Sequence, residues 1–307
     1  LAIIAGAVLL AAAGGEAFLK SILGIAGHLR VPTVVVASTL AAFATSAPEL
    51  TVSSVAALAG ERQLGLGDAL GSNVVNIALI FGVALLFGPV QTLRGDFGRD
   101  FYLALGIPVL TFILFLDDHL DRADAGILFL IFVVWLVISI RRAVSGRAQC
   151  MEQQKTSPPM TSIVFGFAGL AALIAAGRMF VAGATGLAST MEVDTYIIGV
   201  VLVAIGTSLP ELVTVILARM RGHDDIGVGT LIGSNLFNGL AIVGIAGLIH
   251  PIALPQNEVA LTLGCGLVAL LLLLPDRAGV IARWRATWLF LLYTGFVWAT
   301  FNFPAQS

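Results

Sequence analysis

Charge is what this chain is shortest of. Only 11% of its 307 residues are Asp, Glu, Lys or Arg, less than half the roughly 25% of an ordinary soluble protein. That argues against the two solvated domains a chain of this length would otherwise suggest. The few charges nearly cancel, to a net of −2, so the chain has no basic surface of the kind nucleic acid demands. Cysteine is also scarce. Cys150 lies in a polar loop and Cys265 in an apolar run, so no disulfide framework exists and both read as free thiols. The four histidines, His28, His119, His223 and His250, all fall near the ends of apolar runs and form no cluster. An intramembrane hydrolase would need a nucleophile or a metal-activating histidine at depth; the chain reads as no enzyme.

Apolar residues fill the space that charge leaves. They make up 58% of the chain, and the mean hydropathy is +1.01. Membrane spans need about 20 apolar residues each, and the sequence divides into ten at roughly 1–25, 32–59, 64–88, 101–117, 123–140, 161–187, 195–218, 227–250, 258–275 and 286–303. The first is followed directly by further spans, so it reads as a span rather than a cleaved signal. The longest polar stretch, RRAVSGRAQCMEQQKTSPPM at 141–160, separates two sets of five. If that stretch is cytoplasmic, the inner connections carry Arg30, Arg94, Arg99, Arg141, Arg142, Arg147, Lys155, Arg219, Arg221, Arg277, Arg283 and Arg285. The outer ones carry only Arg62 and Arg122. This positive-inside bias places both termini on the outer face.

The two sets repeat each other. ATSAPEL at 44–50 returns as GTSLPEL at 206–212, and GSNVVN at 71–76 returns as GSNLFN at 233–238. Both pairs share one offset (211 − 49 = 162 and 234 − 72 = 162). Five spans is an odd number, so the second set enters the membrane from the opposite side. The predicted architecture is therefore an all-α polytopic membrane protein. Its ten transmembrane helices form two inverted five-helix repeats, 1–140 and 161–307, joined by a cytoplasmic linker loop at 141–160. Secondary transporters are commonly built this way, with the substrate near the midplane where broken helices meet.

The motifs carry the chemistry. A proline within a helix removes a backbone donor and pushes away the carbonyl four residues earlier, here that of Ala44 or Gly206. Such a break persists at membrane depth only where protein or a wet cavity surrounds it. Thr45, Ser46 and Glu49 present oxygens on one helical face, as do Thr207, Ser208 and Glu211. Ser72 and Asn76, and likewise Ser234 and Asn238, are four apart and add a second pair of walls. A charged residue at mid-bilayer costs roughly 2.5–3.5 kcal/mol on insertion scales, so two glutamates there call for a visiting cation. The donors are all hard oxygens, a set that suits Ca²⁺ or Na⁺ and not zinc or copper. Two carboxylates match the charge of one Ca²⁺. Elsewhere, Glu16 and its equivalent Arg178 suggest a structural ion pair or an interface contact, with a role in ion entry second. Asp68, one turn before Ser72 and equivalent to Thr230, is placed near the membrane surface, with contact with the ion path as the second reading.

With these paired signatures the chain resembles the cation/calcium antiporter superfamily, most closely its prokaryotic sodium/calcium exchanger branch, over essentially its whole length. The resemblance implies a secondary active antiporter of the plasma (inner) membrane that exchanges Ca²⁺ for Na⁺ by alternating access. The first helix of each half would slide against a core of the other eight. It implies no cofactor, transported Ca²⁺ and Na⁺ as substrates, the lipid bilayer as surroundings and no obligate protein partner. By position, Glu49 and Glu211 would ligate Ca²⁺ with Thr45 and Thr207. Ser46, Ser72, Ser208 and Ser234 would help form flanking Na⁺ sites, the backbone carbonyls of Ala42 and Ala204 would contribute, and Asn76 and Asn238 would complete the cluster. Two positions depart from the pattern: Ala44 stands where glycine is usual, and Asn238 where some sodium/calcium exchangers carry aspartate. The alternatives within the superfamily are a Ca²⁺/H⁺ antiporter or an exchanger of another divalent cation.

Overall fold

A computed structural model describes residues 2–59, 62–92, 94–145, 159–189, 204–253 and 256–302. Most of the 141–160 linker, with Cys150, and the first part of the expected seventh span lie outside these residues. The described chain is mostly helical. Helix α1 (Ala2–Leu29) ends where Arg30 adopts a left-handed φ of 55°. Val31 N–H then closes back on Ala26 O at 3.1 Å, and Pro32 follows, a combination that stops a helix. Helices α2 (Thr33–Thr45) and α3 (Ala47–Ala59) are the two halves of one span, bent by 44° at Ser46. Then come α4 (62–86), α5 (Arg94–Leu114), α6 (Arg122–Ser145) and α7 (Pro159–Ser189). The chain continues through α8 (Ala204–Thr207), α9 (Leu209–Met220), α10 (Asp224–Ile249), α11 (Gln256–Leu272) and α12 (Arg285–Asn302). Asp121 caps α6, accepting the N–H groups of Asp124 (2.9 Å) and Ala123 (2.6 Å), which hold its carboxyl below the ordinary carboxylate range.

Five stretches among the described residues are long and apolar enough to cross a bilayer unaided: Leu9–Leu29, Gly65–Leu86, Arg122–Arg142, Met160–Met179 and Asp224–Ile249. The bent α2–α3 pair makes a sixth. Their burial sorts them. About four-fifths of the apolar windows of α4 and α10 is packed inside the protein (78% and 83%), against 28% for those of α6 and α7. So α4 and α10 form the core, while the outer helices present bare Leu9, Leu58, Leu130 and Phe167, an apolar surface suited to lipid.

Long-range contacts recur at the same offset of about 162 residues. The short antiparallel pairing of Val90–Gln91 with Val280–Ile281 has its counterpart in His119–Leu120 with Ile252–Ala253. Where α4 and α10 cross, Asn73 Nδ2 donates to Asn235 O at 3.4 Å and Asn235 Nδ2 donates to Asn73 O at 3.3 Å. A π-helical turn widens α4 at Val75–Ile80 and α10 at Phe237–Ile242, again 162 apart. Turns of this kind are rare and gather at functional sites.

Helices α1 and α7 run antiparallel and pack through small residues. A Cβ on Gly14 would stand 2.9 Å from Gly169 O, and one on Gly169 would stand 2.7 Å from Gly14 O. Gly24 meets Ser162, and Gly166 meets Ser21. Membrane helices approach this closely only where side chains are absent. The expected ion pair of Glu16 is present with other partners. Glu16 binds Arg221 (2.8 Å) and Lys20 (3.2 Å), whereas Arg178 is exposed on α7.

Candidate cation site

The site begins with two broken helices. Ser46 leaves helical geometry at φ −84°, ψ 10°, and Ser208 does the same at φ −82°, ψ 8°. The prolines explain why the chain resumes at once as helix. Pro48 and Pro210 fall in the first turn of α3 and α9, where a missing N–H costs no hydrogen bond. Glu49 and Glu211 sit in the same first turns, at helix ends whose partial positive charge favours a carboxylate. The carbonyl of Gly206, freed by Pro210, faces α7 at Gly177, where a Cβ would stand 2.7 Å from it.

All twelve residues predicted from the sequence are buried, and both glutamates are 0% exposed. The two halves interlock through them. Ser46 Oγ donates to Glu211 Oε1 at 3.0 Å, and Ser208 Oγ donates to Glu49 Oε1 at 3.1 Å. Each carboxylate is thus held by the serine that precedes the other. Ser234 Oγ also donates to Glu211 Oε1 at 3.1 Å. Thr45 Oγ1 lies 3.3 Å from Ala42 O and Thr207 Oγ1 lies 3.2 Å from Ala204 O. Those two carbonyls also accept the N–H groups of Ser46 (3.0 Å) and Ser208 (3.1 Å).

The remaining oxygens have nothing to bind among the described residues. Glu49 Oε2, Glu211 Oε2, Ser72 Oγ, Asn76 Oδ1 and both amide atoms of Asn238 are buried with no hydrogen-bond partner. Buried polar atoms are normally satisfied, and a lone buried carboxylate is among the costliest groups to leave unpaired. A cluster of such oxygens is what a desolvated hard cation requires. Among the described residues no three Asp, Glu, His or Cys side chains converge on one metal position. Any cage built here therefore draws on hydroxyls and amides beside the two glutamates, as Ca²⁺ and Na⁺ chemistry allows. A cavity of about 290 Å³ opens beside Ala42, but Phe43, Phe132, Trp135 and Phe237 line it, and it offers a cation little.

Two features of the site went beyond the sequence expectation. Asn73 and Asn235 lie on neither predicted wall, yet they stitch the halves together, and Asn235 Oδ1 also accepts Asn76 Nδ2 at 3.2 Å. Their recurrence at the same offset inside GSNxxN was the available signal. Asp68, expected near the membrane surface, is instead buried (1% exposed), and its Oδ1 lies 3.3 Å from Thr207 Oγ1.

The profile of the family described as "Sodium/calcium exchanger protein" matches residues 1–141 and 161–302. The chain is 35% identical to the inner membrane protein YrbG of Escherichia coli, over 72% of its own length and 71% of that protein's. It is 28% identical to the sodium/calcium exchanger MaX1 of Methanosarcina acetivorans, over 92% of its length and 93% of the relative's. A solved structure of the sodium-calcium exchanger NCX_Mj superposes with a TM-score of 0.83 at 23% identity, covering 97% of each chain, which establishes a shared fold. The chain is a multi-pass membrane protein, and it belongs to the sodium/calcium exchanger protein family.

Proposed function

We propose that this chain is a secondary antiporter, not an enzyme, that exchanges Ca²⁺ for Na⁺ across the inner (plasma) membrane by alternating access. Family membership supports the ion pair, since the matching profile and MaX1 both carry sodium and calcium in their names. The observation that carries the reading is the serine–glutamate exchange between halves, which leaves a free oxygen on each buried carboxylate. Glu49 and Glu211 then supply two charges to Ca²⁺, with Thr45 and Thr207 as neutral partners. Ser46, Ser72, Ser208 and Ser234 serve the flanking Na⁺ positions. The carbonyls of Ala42 and Ala204 and the amides of Asn76 and Asn238 complete the set. No cofactor enters the cycle: the ions are the substrates, and the gradient of one drives the other.

The architecture that fits this role is a pair of inverted five-span repeats, 1–140 and 161–307, joined by the 141–160 linker into one membrane domain. Mirrored contacts support it, namely Ser46–Glu211 with Ser208–Glu49, and Val90–Ile281 with Ile252–Leu120. Inverted repeats of this type exchange access by moving one bundle against another around a fixed site. The antiparallel α1–α7 seam, where Gly14 and Gly169 bring the two backbones close, is suited to that sliding. The positive-inside rule places both termini outside. In a background free of the native thiols, Asp118→Cys is expected to react with an impermeant maleimide on intact cells. Arg277→Cys should react only after the cells are opened. The reverse pattern would invert the proposed orientation.

Function is tested in proteoliposomes. Vesicles loaded with Na⁺ and diluted into Na⁺-free buffer should accumulate radioactive Ca²⁺, and vesicles with equal Na⁺ on both sides should not. Accumulation that ignores the Na⁺ gradient but follows a pH gradient would overturn Na⁺ coupling in favour of Ca²⁺/H⁺ antiport.

A further inference from the structure

The mirror relation between the halves fails along the faces of α4 and α10 that lead to the site. Along α4, Asp68, Ser72 and Asn76 follow one another at four-residue steps and so share a helical face. Thr230, Ser234 and Asn238 do the same along α10. All six are buried. The first rung of one ladder is a carboxylate and the first rung of the other is a hydroxyl.

Among the described residues Asp68 has no cationic partner: none of their four ion pairs involves it. Its Oδ1 faces Thr207, whose neighbour Ser208 holds Glu49, while its Oδ2 is buried with no hydrogen-bond partner. Ser72 Oγ and Asn76 Oδ1, the next two rungs, are also without partners among the described residues. Three open oxygens therefore line one face of α4, beginning at a carboxylate that a desolvating environment makes costly to leave uncompensated. The Thr207 hydroxyl has one proton and lies within reach of both Asp68 Oδ1 (3.3 Å) and Ala204 O (3.2 Å). When it turns to Asp68, it releases a lone pair on the Ala204 carbonyl towards the same space.

We propose that Asp68 is a cation-holding residue of this chain, forming with Thr207 and Ser72 a station for one Na⁺ beside the glutamate cage, a station the second half lacks. This rests on the exchanger reading above. Charge decides the ion. Asp68 does not converge with both glutamates on one metal position, and a single carboxylate balances a monovalent ion, whereas the glutamate pair balances a divalent one. The site is consequently polar in the directional sense: Na⁺ meets an additional negative charge on the Glu49 side and only Thr230 on the other.

The test is direct binding to purified protein in detergent, titrating NaCl without Ca²⁺, then CaCl₂ without Na⁺, and reading heat or thermal stabilisation. Asp68→Asn keeps the shape and removes the charge. It should raise half-saturating Na⁺ at least about tenfold, the size of a lost charged contact, and shift Na⁺ much more than Ca²⁺. Asp68→Glu restores the carboxylate and should return the Na⁺ value towards that of the wild type, which excludes misfolding as the cause. An unchanged Na⁺ value in Asp68→Asn, or equal weakening of both ions, overturns the station. Failure of Na⁺-driven Ca²⁺ flux in the wild type would instead overturn the exchanger reading. The binding titration reports on Asp68 in either case.

Discussion

Replacing Glu49 or Glu211 with glutamine is expected to abolish Na⁺-driven Ca²⁺ uptake, by at least about 100-fold in initial rate. Each carboxylate is fully buried and held on one oxygen by a serine of the other half. Glutamine preserves the size of the side chain and an acceptor for that serine, so the helix break and its crossing contact survive. What disappears is one of the two charges proposed to face the ion. A buried charge left without its counter-charge costs roughly 3–5 kcal/mol, and each 1.36 kcal/mol is a factor of about ten. The same substitution removes a buried charge from the ion-free protein, so thermal stability without Ca²⁺ should hold or rise. Stabilisation by added Ca²⁺, which grows with ligand concentration relative to Kd, should vanish. A variant that keeps more than a tenth of wild-type uptake would separate the glutamates from the ion. A variant that is merely unfolded would show its defect before any Ca²⁺ is added.

Gly233→Ala is expected to be nearly as damaging, for a steric reason. A Cβ at this position would collide with the Ser38 carbonyl oxygen, stand 2.7 Å from the Ser38 carbonyl carbon and 2.7 Å from Ala42 Cβ. Two of those atoms belong to the backbone of α2 and cannot rotate aside. Overpacking of this kind costs about 1–3 kcal/mol, occasionally more. The displacement also falls in a sensitive place. Gly233 precedes Ser234, which holds Glu211, and Ser38 lies in the π-helical turn Ala37–Ala41, just ahead of the Ala42–Glu49 stretch. Supporting elements about 1 Å out of place are enough to disable a site, so uptake should fall at least about tenfold and the melting temperature in detergent should drop. Gly264→Ala on α11 is the control. A Cβ there meets nothing within 4 Å, and alanine is the better helix former by about 1 kcal/mol. Equal behaviour of the two variants would show that close approach at Gly233 is not what matters.

The sequence legibly carried the features that local chemistry enforces. A chain 58% apolar and 11% charged has one plausible solvent for its helices. A Pro-Glu pair inside such a helix is expensive enough that its repetition at a fixed offset already marked Glu49 and Glu211. The four-residue spacing of Ser72 with Asn76 and Ser234 with Asn238 predicted shared faces, because helical periodicity is a property of one segment alone. The predicted residues are buried together for these reasons.

Other features depended on which helices meet. Asn73 and Asn235 sit one residue off the predicted walls, and only the crossing of α4 over α10 turns them towards each other's backbone. Asp68 looks like a surface residue from its place near a span end; the packing of α8 brings Thr207 onto it and closes it off from solvent. Glu16 pairs with Arg221 rather than with its repeat equivalent, since repeat position does not set spatial proximity. The π-helical turns in α2, α4 and α10 have no residue signature and answer to the neighbours each helix must accommodate. The amino-acid sequence by itself determined the membrane class, the repeated motifs, the helix breaks and the oxygen-bearing side chains at four-residue spacing, all of which can be read along the chain. The tertiary structure alone decided which oxygens of one half face which carboxylate of the other, because contacts between residues some 160 positions apart are fixed by how whole helices pack.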